Sequence, residues 1–168
     1  MNIRIYPDPV LREKAKEIKE FDTEHLDYII QIMENIIKKY DAVGLAANQL
    51  GIMEQLIVTN VDNNPLIVIN PQIVSARGEE NLEEGCLSLP GIEFTITHHK
   101  FITVKGSNKY SEPQTIEADG LLAKVLEHEI DHLNGILIID KLKPAERLDF
   151  EMQWKRGDYE KKHPSRVL

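Results

Sequence analysis

The sequence predicts an α+β domain: short antiparallel β-strands packed around one central helix, with a second helix near the N-terminus and a third near the C-terminus. Three observations predict it. Apolar side chains at Leu121, Leu122, Val125, Leu126, Ile130 and Leu133 recur at helical and not strand spacing. Leu26, Ile29, Ile30, Met33, Ile36, Ile37 and Tyr40 repeat in the same way. Between these stretches lie several short β-branched runs broken by turn residues, the pattern of strands gathered on one sheet.

Taken in order, residues 3–6 read as a short strand, and Pro7-Asp8-Pro9 forces a turn because each proline fixes its own backbone and restricts the residue before it. Asp22 is placed to cap the first long helix. Val43-Gly44-Leu45-Ala46-Ala47-Asn48-Gln49-Leu50-Gly51 is rich in small residues and uncharged. Taken alone it favours a tight connection over a substrate-lining segment. Strands are expected at 56–59, 66–69, 73–74, 94–97, 101–104 and 115–118, with Asp62-Asn63-Asn64-Pro65 as a hairpin turn and Asn70-Pro71 as a break. Pro144 opens a last helix, whose Leu148, Met152 and Trp154 are expected to face the body. The whole chain, 1–168, reads as one domain, with about 157–168 a flexible basic tail.

The 168 residues suit a single domain, and 42% hydrophobic content suffices for a core. A net charge of −8 disfavours nonspecific attraction to DNA or anionic membranes. No apolar run approaches about 18 residues, and the N-terminal stretch lacks the apolar run and cleavage site of a signal peptide. The chain reads as cytoplasmic, without membrane contact.

The central helix carries His128-Glu129-Ile130-Asp131-His132 and ends at Leu133-Asn134-Gly135. Histidines four apart leave one helical face together. With a glutamate between them they make a site for a divalent transition metal and a base for its water. The alternative is two surface histidines on an amphipathic helix. Cys86 is the only cysteine, so no intrachain disulfide forms. A free cysteine is most often a small buried hydrophobe. Here Gly85 and Pro90 set it in a turn, and the two histidines call for a third ligand. Two imidazoles and a thiolate leave a fourth tetrahedral position open, as in a catalytic and not a structural site.

Three stretches then resemble the signature motifs of the peptide deformylase family: Val43 to Gln49, Glu84-Gly85-Cys86-Leu87-Ser88, and His128 to His132. Order and spacing fit, and the resemblance extends over nearly the whole chain, including Pro7-Asp8-Pro9-Val10-Leu11-Arg12 and Glu117-Ala118-Asp119-Gly120-Leu121-Leu122-Ala123. It implies a bacterial-type metallohydrolase of protein biosynthesis and N-terminal processing. Such an enzyme removes the formyl group from nascent chains that start with formyl-methionine, near the peptide exit of the ribosome, and releases formate. Carried across, it implies Cys86, His128 and His132 as ligands of one divalent metal ion, Fe2+ in the cell with Zn2+, Ni2+ or Co2+ as substitutes. It further implies Glu129 as general base and acid, the Gln49 amide and the Leu87 backbone N–H as oxyanion donors, and a methionine pocket near Val43, Leu121, Val125 and His128. Val43, Gly44, Leu45 and Gly85 would contact the peptide, which Gly44 and Gly85 would hold like an added strand. Gly44, Ala46 and Ala47 would keep the wall beside the metal thin enough for a formyl group.

The chain departs from the family's pattern in three places. Ala42 replaces a glycine, which would strain a backbone with positive φ. His98 stands where an arginine near the peptide is usual. Lys124 replaces an apolar residue near the pocket, although its stem can line a wall while its charge reaches water. A zinc peptidase with the same helix motif is the first rival, and its third ligand would come from downstream, where Asp140 and Glu146 lie. A non-enzymatic relative that kept the metal is the second.

Overall fold

The computed structural model describes residues 2–158. The basic tail expected at the C-terminus lies almost wholly outside the described residues. Helix α1 spans Thr23–Tyr40, α2 Gly120–Leu133 and α3 Pro144–Lys155. Five strands, β1 (Gly44–Ala46), β2 (Leu56–Val61), β3 (Asn64–Cys86), β4 (Leu89–Ser107) and β5 (Pro113–Asp119), form one antiparallel sheet in sequence order. The α+β architecture is the one the sequence predicts. Two of the strands are much longer than expected.

Helix α1 starts where Asp22 Oδ1 accepts hydrogen bonds from the backbone N–H groups of Glu24 and His25, at 3.0 and 3.2 Å, satisfying two of the orphan donors of its first turn. It ends at Asp41, which takes a left-handed conformation (φ 51°) and returns its N–H to Ile37. Asp41, not Ala42, thus carries the positive φ, so the alanine is unstrained. The buried stripe Leu26–Ile37 packs on Leu45, Leu56, Val58 and Ile69.

Strand β2 is covered on both faces. Side chains alternate along a strand, so Leu56 and Val58 turn to α1 while Ile57 turns to α2. The same alternation in β1 sends Leu45 to the α1 side and Ala46 to the α2 side. The β2–β3 turn has Asp62 and Asn63 both at positive φ, 53° and 57°, the two-residue geometry matched to strand twist.

Asn70-Pro71 does not end β3. Asn70 adopts φ 51°, and the register against β4 shifts between Ile69 and Gln72, so the residues form a bulge and the strand continues. The Asn70 side chain accepts from Ile18 N–H at 2.9 Å and donates to Ile18 O at 2.8 Å, tying the N-terminal segment to the sheet. The runs at 94–97 and 101–104 likewise join in β4. Residues 3–6 are not a strand, a correction to the sequence reading. They form an extended strap: Arg4 N–H donates to Gln49 O at 2.7 Å and Tyr6 N–H to Ser88 O at 2.9 Å.

Helix α3 begins at Pro144, and its Trp154 packs on the body against Tyr6, both as expected, but Leu148 and Met152 do not. Leu148 and Met152 are 60% and 45% exposed, while Phe150 is 1% exposed. The Phe150 ring lies 5.8 Å from those of Tyr6 and Phe94 and 5.7 Å from Trp154. Aromatic partners distant in sequence thus select the buried position. Phe150→Ala should cost about 3–5 kcal/mol of stability in urea unfolding, and Leu148→Ala less than about 0.5 kcal/mol.

Candidate metal centre

Helix α2 packs Ala123, Leu126, Ile130 and Leu133 against the sheet. That rotation turns His128, Glu129 and His132 toward the end of β3. Gly135 closes the helix in a left-handed turn (φ 73°), where a Cβ would lie 2.4 Å from Arg12 O. At the other side β3 ends at Cys86, and Leu87-Ser88 turn the chain into β4.

Three donor atoms converge there. His132 Nε2 lies 3.2 Å from Cys86 Sγ and 3.1 Å from His128 Nε2, and the ligand atoms of all three residues lie within 4.8 Å of one another. Tetrahedral ligands bound at about 2.0–2.3 Å are separated by roughly this distance. His128 Nδ1 is hydrogen-bonded to Glu84. A carboxylate accepts, so Nδ1 carries the proton and Nε2 turns a lone pair into the cluster. The donor set therefore fits one divalent transition metal. Asp140 and Glu146, the downstream carboxylates that a peptidase reading needs, are engaged elsewhere. Asp140 is held by Arg12 and Arg147, and Glu146 accepts from Lys143 N–H at 3.1 Å.

Glu84 is a residue the sequence reading missed as a partner of the histidine. A signal for it existed: two residues before Cys86 on a strand, it shares that residue's face. Burial pushes its carboxyl toward the neutral form, but hydrogen bonds from His128 and His98 outweigh this and hold its pKa well below the usual range. Without an ion, burial opposes charge on His128, but hydrogen bonds to Cys86 and Glu84 overcome it and raise its pKa, so Nε2 must give up a proton before its lone pair can serve a metal. His132 is pushed well below its ordinary value by burial and by the charge on His128.

Glu129 is buried beside Gly44. A Cβ at Gly44 would lie 2.6 Å from Glu129 Oε1 and 2.7 Å from Val125 Cγ1, so only glycine allows this approach. Burial raises the Glu129 pKa from 4.5 to about 7. Gln49 sits in the short 3-10 turn Ala47–Leu50. Its Oε1 accepts from Ala46 N–H at 2.9 Å, and its Nε2 donates to Ser88 Oγ at 3.2 Å and toward Cys86 Sγ at 3.7 Å. The amide is thereby oriented with its donors at the cluster.

A cavity of about 390 Å³ opens beside these groups, a size suited to a small ligand or a peptide end. Val43, Gly44, Gly85, Leu87 and Val125 line it, together with Gln49, Cys86, His128 and Glu129. Leu89, Pro90 and Ile92 add apolar wall that the sequence did not indicate. Leu45 does not line it, because strand alternation turns its side chain to α1. Leu121 stands one helical turn beyond Val125 and is 42% exposed, outside the lining. Ala46 and Ala47 are fully buried behind Gly44 and form no part of the wall. Lys124 lines the mouth while its ammonium donates to Glu83 O at 2.9 Å. His98 does not line the cavity; it is buried behind Glu84.

The family described as polypeptide deformylase matches residues 1–148. The chain belongs to the polypeptide deformylase family. It is 48% identical over 147 residues to the peptide deformylase of Thermotoga maritima, covering 87% of this chain and 89% of that one. It is 41% identical to that of Thermodesulfovibrio yellowstonii, covering 92% and 96%. The crystal structure of a Legionella pneumophila peptide deformylase superposes with a TM-score of 0.87 at 38% identity, covering 94% of each chain. One from Synechococcus elongatus, in complex with actinonin, gives 0.86 at 37%, covering 94% and 86%. Among the described residues no helix is long and apolar enough to cross a membrane.

The raised Glu129 pKa has a consequence for metal-free protein. The folded state holds this proton more tightly than the unfolded state, so its stabilising contribution is complete below about pH 4.5 and is lost as pH rises through about 7. Glu129→Gln has no such loss. After chelation the variant should gain on the parent by about 2–3 kcal/mol between pH 5 and pH 8, as read from urea midpoints at each pH.

Proposed function

We propose that Cys86, His128, His132, Glu129, Gln49 and Leu87 carry out the reaction of this family in this chain. That reaction is hydrolysis of the N-formyl group from the formyl-methionine of newly made polypeptides, with release of formate. The convergence of one thiol and two imidazoles beside a buried glutamate is the observation that carries the reading. Cys86 as thiolate and the two Nε2 atoms hold one divalent ion, and a soft thiolate with imidazoles suits Fe2+ in the cell and Zn2+, Ni2+ or Co2+ as replacements. When bound, such an ion would supply Lewis acidity for the formyl carbonyl and for a water molecule.

The chain's own groups do the rest. Glu129, poised near neutral pH by burial, takes a proton from the attacking water and delivers it to the amine nitrogen as the C–N bond breaks. Gln49 Nε2 and the Leu87 N–H donate to the oxygen on which charge develops. Losing one such donor costs on the order of 100-fold in rate. Val43, Leu121 and Val125, beside His128, form the apolar site for the methionine side chain; Val43, Val125 and His128 line the cavity, and Leu87 and Ile92 add to its wall. The backbone at Gly44 and Gly85 borders the peptide as a strand would. Gly44 alone supplies the narrow wall that admits a formyl hydrogen and crowds an acetyl methyl. The partners are N-formylmethionyl nascent chains met near the ribosomal exit, in the cytoplasm; the acidic chain favours no direct contact with DNA.

The decisive experiment is metal content of protein purified without oxygen, alongside formate release from a formyl-Met peptide. One ion per chain and rapid release are expected; metal-independent release would refute the assignment. Cys86→Ser should lose most metal and most activity. Glu129→Gln should keep its metal and lose at least about 100-fold in kcat, and loss of metal at an unchanged rate per bound ion would make it a ligand instead. Acetyl-Met peptide should react far more slowly than formyl-Met peptide, and similar rates would remove the role given to Gly44.

A further inference from the structure

The groups named above leave unused a line of ionisable side chains that runs from the back of His128 to the surface. Glu84 on β3, His98 on β4 and Glu127 on α2 are all buried, with His98 only 2% exposed. His98 Nε2 hydrogen-bonds Glu84, and its Nδ1 lies 3.4 Å from Glu127 Oε2. Glu127 Oε1 lies 2.8 Å from Nδ1 of the half-exposed His99, whose backbone N–H donates to Glu127 Oε2 at 3.0 Å. None of His98, His99 and Glu127 lines the cavity.

Both nitrogens of His98 therefore face carboxylate oxygens. A neutral imidazole has one N–H and would aim a lone pair at the other carboxylate; the imidazolium satisfies both. Burial opposes that charge, but hydrogen bonds to Glu127 and Glu84 outweigh it and raise the pKa. The two oxygens of Glu84 are thus divided, Oε1 to His128 and Oε2 to His98. Without His98, Oε2 would be a buried charged atom lacking a partner, and the carboxylate would gain by turning away from His128.

We propose that His98, backed by Glu127, is a positioning residue of the metal centre: it pins Glu84 against His128 Nδ1–H and so aims His128 Nε2 at Cys86 and His132. This rests on the reading that those three residues hold the metal. The pin ties β4 to β3 and α2, the two elements that carry the cluster.

The test uses the full chain with His98→Gln and Glu127→Gln, whose amides retain hydrogen-bonding capacity without the charge. Zinc affinity is measured by chelator competition, the visible spectrum is taken with cobalt loaded, and kcat and KM are taken at saturating metal. His98→Gln should weaken zinc binding by about ten-fold or more, shift the cobalt bands and lower kcat with KM unchanged. Glu127→Gln should act in the same direction and more weakly. A lower melting temperature with unchanged zinc affinity and an unchanged cobalt spectrum would make the pin merely structural and overturn the proposal. If His98→Gln does not fold, Glu127→Gln decides: weaker zinc binding supports the proposal and parental affinity overturns it. Zinc stoichiometry of the parent separates the two readings. A parent that binds no zinc overturns both, whereas a zinc-binding parent with indifferent variants overturns only this one.

Discussion

The close approach of α2 to β1 is the constraint on which the rest of the molecule depends. At Gly44 the separation leaves no room for a side chain, since a Cβ would sit within 2.7 Å of both Glu129 and Val125. The same packing buries Leu126 and Ile130 against Ile57 and Val68. It fixes the rotation of the helix and hence the direction of both histidines. Because α1 covers the opposite face of β2, the strands beneath the site are gripped from both sides. Interiors packed at this density transmit small shifts instead of absorbing them, so the donor atoms inherit the rigidity of the core.

Onto that core the chain places a cluster of buried ionisable groups. Glu84, Glu127, Glu129, His98 and His132 are all buried polar groups, and an isolated buried charge is strongly unfavourable. Glu84, Glu127 and His98 are joined in one network that reaches His128, and His132 meets His128 from the other side. Glu129 instead shifts its pKa toward neutrality. The contrast is chemical: carboxylates with imidazole partners stay ionised and hold positions, while the one without such a partner can exchange a proton near physiological pH.

Much of this was legible in the sequence, for identifiable reasons. Helical spacing and caps act locally, so α1, α2 and their ends could be read from residues such as Asp22 and Gly135. The turn at Cys86 and the hairpin at Asp62-Asn63 were likewise visible in their turn-forming residues. What escaped depends on partners far along the chain. Asn70-Pro71 looks like a strand break, yet one left-handed residue absorbs the bulge and the ladder resumes. Leu45 looks like its pocket-lining neighbours, and only strand alternation between two helices sends it away. Phe150 outranks Leu148 and Met152 because Tyr6 and Phe94 wait for it, and no local period encodes that. His98 stands where the family's pattern has an arginine near the peptide, and its neighbours here, Glu84 and Glu127, come from two other elements.

The extended strap at the start of the described chain binds the two loops that flank the cluster. Arg4 holds the carbonyl of Gln49, and Tyr6 holds that of Ser88. These loops have little regular structure of their own, and their separation sets the gap between the Gln49 amide and the Leu87-Ser88 turn. The first few residues therefore serve as a gauge for that gap, although none of them lines the cavity. Sequence changes at this end, or peptides fused to it, bear on the spacing of the reaction site.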